Sequence, residues 1–182
     1  LIFYLISIYN KLVSLKNRVD NGWAQIDVQL QRRYDLIPNL VETAKGYMKH
    51  EKETLKMVID ARNSANDAAK AASGNPSDQN AIKDLQASEQ KLQGAMMSFQ
   101  ALAEGYPDLK ANTNMLALQE ELATTENKVG FSRQAFNDAV MQYNTGIEIF
   151  PNSLIANQFK FTQATEWQIE NKEAKKNVKV TF

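Results

Sequence analysis

The feature that most constrains this chain is an apolar stripe running at helical spacing through its first third. Leu12, Leu15, Val19, Trp23, Ile26, Leu30 and Tyr34 step by three and four, and the pattern resumes at Leu40, Val41, Ala44, Tyr47 and Met48. Such spacing lays one apolar face along a helix and demands helical partners to cover it. Between the two runs stands Tyr34-Asp35-Leu36-Ile37-Pro38. Proline lacks the amide donor that a helix interior uses, and it disfavours the helical conformation of the residue before it, so this stretch predicts a hairpin corner. Asp35 is then the expected cap of the returning helix. Pro38 would sit in its first turn, where a missing donor has no intrahelical acceptor to lose. The expected helices run over 2–33 and 36–72, antiparallel across a short corner.

The rest of the chain repeats this pattern. Ser73-Gly74-Asn75-Pro76-Ser77 reads as a loop, with Ser77 or Asp78 capping a third helix that carries Ile82, Leu85, Leu92, Met96, Phe99 and Leu102. Gly105-Tyr106-Pro107 ends it. A fourth helix carries Met115, Leu118, Leu122, Val129, Phe136, Val140, Tyr143 and Ile147 and stops at Phe150-Pro151. The stretch Ala61–Ala72 is helical by propensity but offers little bulk, so it is expected to bury little and to fray. The fold class that follows is all-α, an antiparallel up-down-up-down four-helix bundle with long helices. The bundle is expected over 11–161, with residues 1–10 as a preceding helical segment and 162–182 as a tail. Val178-Lys179-Val180-Thr181-Phe182 alone alternates like a short extended strand. The fourth helix outruns the third by roughly 15 residues, about 22 Å at the α-helical rise. Because the two share the Gly105–Asp108 corner, that excess projects from the end where the first helix begins. It carries the apolar run 150–161 to that end, as a cap or as part of an interface.

Composition removes several functions. Lys plus Arg and Asp plus Glu both number 21, so no bulk charge favours nucleic acid. With no cysteine, disulfides, thiolate catalysis and cysteine metal sites are absent. His50 is the single histidine. His50-Glu51 looks like the start of a zinc-protease helix motif, but Thr54 stands where the second histidine belongs, and one histidine cannot build a two-histidine metal site within a protomer. Asp27, Arg32, Arg33, Glu51, Arg62, Glu89, Glu126 and Arg133 lie on or beside the stripes. Carboxylates so placed can hold a di-metal centre, but the Glu-x-x-His pairs such a centre uses are missing. The expected role is arginine–carboxylate layers that set helix register. Glu126 and Arg133, seven apart, point the same way. Asn127, Asn137 and Asn144 with Gln119 and Gln134 give the fourth helix an amide-rich face suited to register or partner choice. Trp23 reads as core, with an interaction anchor as the alternative. There is no glycine-rich phosphate loop and no nucleophile–base pair. No catalytic, cofactor-binding or metal residue is therefore assigned, and no cofactor is expected.

Trp23, Ile26–Arg33, Asp35–Thr43 and His50-Glu51 resemble the core signature of the LemA family of bacterial membrane-anchored helical proteins. The likeness continues through Tyr106–Ala111, Leu118–Leu122, Thr125–Asn127, Arg133–Asn137, Tyr143-Asn144, Phe150-Pro151 and Leu154–Ala156. It implies an N-terminal membrane anchor leading into a helical bundle. The first nine residues, Leu-Ile-Phe-Tyr-Leu-Ile-Ser-Ile-Tyr, are uncharged and apolar but too few to span a bilayer, which takes about 20. On the residues alone they fit either a buried N-terminal turn or the inner end of a transmembrane helix continuous with the first bundle helix. The resemblance implies the latter, a single-pass protein of the bacterial inner membrane. Lys11, Lys16 and Arg18 against Asp20 place the bundle in the cytoplasm by the positive-inside rule. The expected function is a non-enzymatic membrane-anchored scaffold or adaptor, or alternatively a regulatory subunit of an envelope protease or other membrane enzyme. Its expected partners are the lipid bilayer and another protein or further copies of itself, with no nucleic acid and no known small-molecule substrate.

Overall fold

A single helix, α1 (Ile2–Lys45), carries the apolar stripe from Leu12 through Ala44 without interruption, and Tyr47 and Met48 fall in the corner that follows. At the α-helical rise its 44 residues span about 66 Å. The computed structural model describes residues 2–168. Pro38 lies inside α1, and the corner falls at 46–51. The expected break at Tyr34–Pro38 is therefore wrong, and Asp35 is a mid-helix residue rather than a cap. The physical reason is visible in the backbone. A proline at 38 leaves the carbonyl of Tyr34 without its intrahelical donor. Arg62 supplies one from the neighbouring helix, its Nε donating to Tyr34 O at 2.8 Å. Burial of Leu30, Tyr34, Ile37, Val41 and Ala44 on one continuous face holds the helix through the proline.

The chain returns as α2 (Lys52–Gly74), turns through 75–78, and continues as α3 (Gln79–Ala103), which Asp78 caps through the amides of Asn80 and Ala81. A short α4 (Pro107–Lys110) leads to α5 (Thr113–Glu148), capped by Asn112, and α6 (Asn152–Gln158) follows Pro151. Every described element is helical. The alanine-rich end of α2 does not lie loose: Ala65, Ala69 and Ala72 are fully buried, and Trp23 Nε1 donates to Ser73 Oγ at 2.9 Å. Small side chains there are what allow α2 to sit close to its neighbours.

The helices pack in the order α5, α1, α2, α3, while α3 and α5 form no comparable interface. The expected four-helix ring is thus not closed by helix packing. Over one half of the gap between α3 and α5, the segment 161–168 takes the place of a helix–helix contact. Over the other half a groove remains. α1 and α5 meet at two glycines that leave no room for a side chain. A Cβ at Gly22 would lie 3.1 Å from Phe136 Cα, and one at Gly146 would lie 2.5 Å from Leu15 Cδ1. α5, at 36 residues against 25 for α3, does extend to the end where α1 begins, and α6 folds back there onto α1. Among the described residues no helix is long and apolar enough to cross a membrane. The expected extended tail at Val178–Phe182 lies outside the described residues.

Candidate functional site

Three arrangements carry the molecule's polar and exposed apolar chemistry. The first is a hub at Arg33, which the α1 stripe points between α3 and α5. Its guanidinium pairs with Glu89 of α3 and, at 2.5 Å, with Glu126 of α5. The Tyr34 hydroxyl donates to the same Glu89 carboxylate. Arg33 and Glu89 are each 12% exposed, so that arm of the fork is nearly desolvated, while Glu126 is 56% exposed; together they tie elements that do not pack on each other directly. Burial pushes the Tyr34 phenol up to about 12, against the opposing pull of the Arg33 and Arg62 charges. By contrast, Arg32–Glu121 lies on the surface, where such a pair contributes little.

The second arrangement is a strap. Residues 162–168 run in extended form along α5, and asparagine side chains hold them as a neighbouring strand would. Asn144 donates Nδ2 to Ala164 O at 2.8 Å and accepts from Ala164 N at 2.9 Å. Asn137 does the same for Trp167, at 3.0 and 2.8 Å. Tyr143 Oη donates to Thr162 O at 2.9 Å, and from the other wall Gln86 of α3 donates Nε2 to Glu166 O at 3.2 Å. An amide side chain carries N–H donors beside an acceptor oxygen, so a single asparagine satisfies both backbone groups of one residue. Between these ties Ala164 and Trp167 are buried, and Trp167 packs beside Trp23, with centroids 6.1 Å apart. Trp23 in turn meets Phe136 edge-on at 5.7 Å. Below Trp167 the gap between α3 and α5 continues as a groove of about 540 Å³. Its floor includes Ile37, Leu40, Leu92 and Phe99, and glutamines stand along its α3 wall.

The third is an apolar end. Ile2 and Phe3 at the start of α1, together with Phe150, Leu154 and Phe159 around α6, are more than half exposed, and Phe3 reaches 88%. Tyr9 packs at a tilt against Phe159 at 4.7 Å and edge-on against Phe161 at 5.9 Å, which joins the two groups.

The residues singled out in the sequence are distributed unevenly among these. Arg33, Glu89 and Glu126 come together as a layer, and Arg62 joins Tyr34 O and, at 3.6 Å, Asp35. Glu126 and Arg133 share a face but make no ion pair: about 10.5 Å of helix separates them, and Glu126 pairs with Arg33. Burial holds the Arg133 guanidinium below its usual range, and the Glu126 charge opposes that shift. Asp27 keeps one buried carboxylate oxygen without a hydrogen-bond partner among the described residues. His50 is exposed in the α1–α2 corner, while Glu51 accepts from Tyr106 Oη at 3.2 Å. Of the amide face, Asn137 and Asn144 bind the strap, Gln119 lines the groove, and Asn127 and Gln134 are exposed. Trp23 is core. Sequence reasoning missed the glutamines of α3, although Gln86, Gln90 and Gln93 at four- and three-residue steps mark a single amide row.

Among families of known proteins, the LemA family model matches residues 22–182. The chain is also 24% identical over 157 residues to Protein LemA of Metamycoplasma hominis, an overlap covering 85% of this chain and 67% of that protein.

Proposed function

Since the chain belongs to the LemA family, we propose that it is a non-enzymatic scaffold or adaptor seated by its apolar end on a bacterial inner membrane. The observation that carries this reading is the collection of exposed aromatic and aliphatic side chains where α1 begins and α6 folds back. Ile2 is 71% exposed, Phe150 81% and Leu154 61%, a density of apolar surface that water alone does not favour. Lys11, Lys16 and Arg18 follow the exposed apolar residues as a positive flank, which supports a cytoplasmic bundle. The long exposed sides of α2, α3 and α5 then face away from the lipid, available to a protein partner or further copies.

Flotation with vesicles of phosphatidylcholine and phosphatidylglycerol tests the membrane half of the proposal. The parent chain is expected to float. Phe150→Ser, Leu154→Ser and Phe159→Ser together should lower the bound fraction at least tenfold, whereas Phe131→Ser on α5, 77% exposed, should not. Equal flotation of the triple variant and the parent would refute this seat. Native mass spectrometry after gentle extraction tests the scaffold half. A discrete assembly, with itself or with one second protein, is expected, and a bare monomer would contradict it.

A further inference from the structure

We propose that the seat of the strap is an exchange site, which takes residues 162–168 of a second copy of this chain in place of its own. The second copy then contributes Trp167 to the core of the first, and receives the first copy's strap between its own α3 and α5. This names the partner in the self-assembling form of the scaffold reading. It rests on that reading only for the crowding that favours exchange.

The seat recognises the strap without regard to how the strap is tethered. The paired bonds from Asn137 and Asn144, and those from Tyr143 and Gln86, all end on backbone groups of the strap. Ala164 and Trp167 are the strap side chains that bury, and Trp167 lies against Trp23 of α1. None of these contacts involves the joint between α6 and the strap, so a strap arriving from another copy makes every one of them. The seat also demands an occupant. α3 and α5 form no helix–helix interface, and an empty seat would uncover the Trp23 ring that Trp167 packs beside. Each copy therefore needs a strap, its own or another's.

The joint favours opening. Lys160 holds φ at 56°, a left-handed conformation that a residue with a Cβ adopts at a cost, and Thr162 and Gln163 just beyond it are exposed. Opening the joint releases residue 160 from that conformation while α6 keeps its packing on α1 and α5. Direction agrees as well. The joint lies at the apolar end, beside Tyr9, and the strap runs from there past Tyr143 and Asn144 to Asn137. Two rods related by a two-fold axis along their length keep both apolar ends on one side, and each strap enters its partner's seat in the direction it already runs. Such a pair is isologous and closed, so exchange stops at two copies. What opposes it is the loss of tethering, an effective concentration on the order of millimolar for a short joint. Chains gathered on a membrane surface are concentrated towards that value.

The full chain has no native cysteine, so mixing two singly substituted forms tests this. Gln163 of the strap donates to Glu148 of α5, and both residues are exposed and tolerant of replacement. One form carries Gln163→Cys and the other Glu148→Cys, so a short bismaleimide joins 163 to 148 only between copies. After mixing at about 1 mM, where tethering no longer dominates, that adduct is expected. It should exceed at least tenfold the adduct of Gln163→Cys with Phe131→Cys, which stands roughly 25 Å further along α5. Sedimentation velocity without crosslinker gives a second reading: the dimer fraction should fall at least tenfold in Asn137→Ala with Asn144→Ala. A 163–148 adduct no stronger than the Phe131 control, or a chain that stays monomeric at 1 mM, would overturn the proposal. A dimer undiminished in the double asparagine variant would overturn exchange too, while leaving a self-assembling scaffold in place through another surface.

Discussion

Tyr34 gathers three separate demands on one residue. Its carbonyl, deprived of a helical donor by Pro38, takes the Arg62 guanidinium; its hydroxyl serves Glu89; and its ring is fully buried. Replacing Arg62 with Met leaves a buried carbonyl unpaired, at a cost of about 1–3 kcal/mol. In a Pro38→Ala background the amide of residue 38 serves that carbonyl, so the same replacement should cost far less. Urea denaturation of the four chains of this double-mutant cycle measures the coupling, and simple additivity would show that Arg62 does not compensate for the proline. The phenol makes a second prediction. Below pH 10 the folded and unfolded chains both keep its proton, so it adds no pH dependence. As pH rises from 10 towards about 12 the unfolded chain releases the proton while the folded chain retains it. Stability should therefore fall across that window by about 2–3 kcal/mol on account of this group. Tyr143, whose phenol burial and Asp20 also push up, adds in the same sense. Urea midpoints at pH 9 and 11.5 should thus show a smaller alkaline loss in Tyr34→Phe than in the parent, and an equal loss would refute the assignment to Tyr34.

At the scale of elements, the strap is held by side chains rather than by a ladder of its own, so it should be separable from the helices it binds. Asn137→Ala with Asn144→Ala removes four hydrogen bonds to Ala164 and Trp167. In a Trp23→Phe background, Trp167 emission should shift to the red and limited proteolysis should cut within 161–168 several-fold faster, with helical circular dichroism nearly unchanged. Loss of the helical signal in parallel would mean instead that the strap is integral to the helices. This division also explains what was legible from the residues. Apolar periodicity located α3, α5 and the buried face of α1, though not α1's extent, and Asp78 and Pro151 marked element boundaries, because these signals are local. Pro38 misled because its compensation comes from Arg62, 24 residues away, and propensity alone weighs only the loss. Alanine at 65, 69 and 72 read as weak core, yet small size is what close helix packing selects. The role of Asn137 and Asn144 was half visible: seven-residue spacing showed an amide face, but nothing local says that it receives extended chain from 20 to 30 residues further on.

The molecule as a whole is a rod with unlike ends. Its apolar end is built by the first turns of α1 together with α6, and its other end by the α1–α2 corner, where Lys45, Lys49, Lys52 and Lys56 surround a shallow apolar depression. Along α1 the two ends stand about 66 Å apart, far more than the roughly 30 Å of a bilayer's hydrocarbon core. If the apolar end enters the membrane interface, the corner must either stand clear of it or be drawn down by its lysines onto anionic lipid, and these two postures give opposite signals. Because the chain contains no cysteine, a single fluorophore can be placed by His50→Cys or by Leu154→Cys without competing sites. On vesicles containing brominated lipid, the label at 154 should be quenched strongly and the label at 50 by less than a tenth as much, whether or not anionic lipid is present. Comparable quenching at both positions would mean that the rod lies flat. Quenching at 50 that disappears with added salt would trace the contact to the lysine-rimmed corner, since screening weakens that attraction and leaves apolar burial in place.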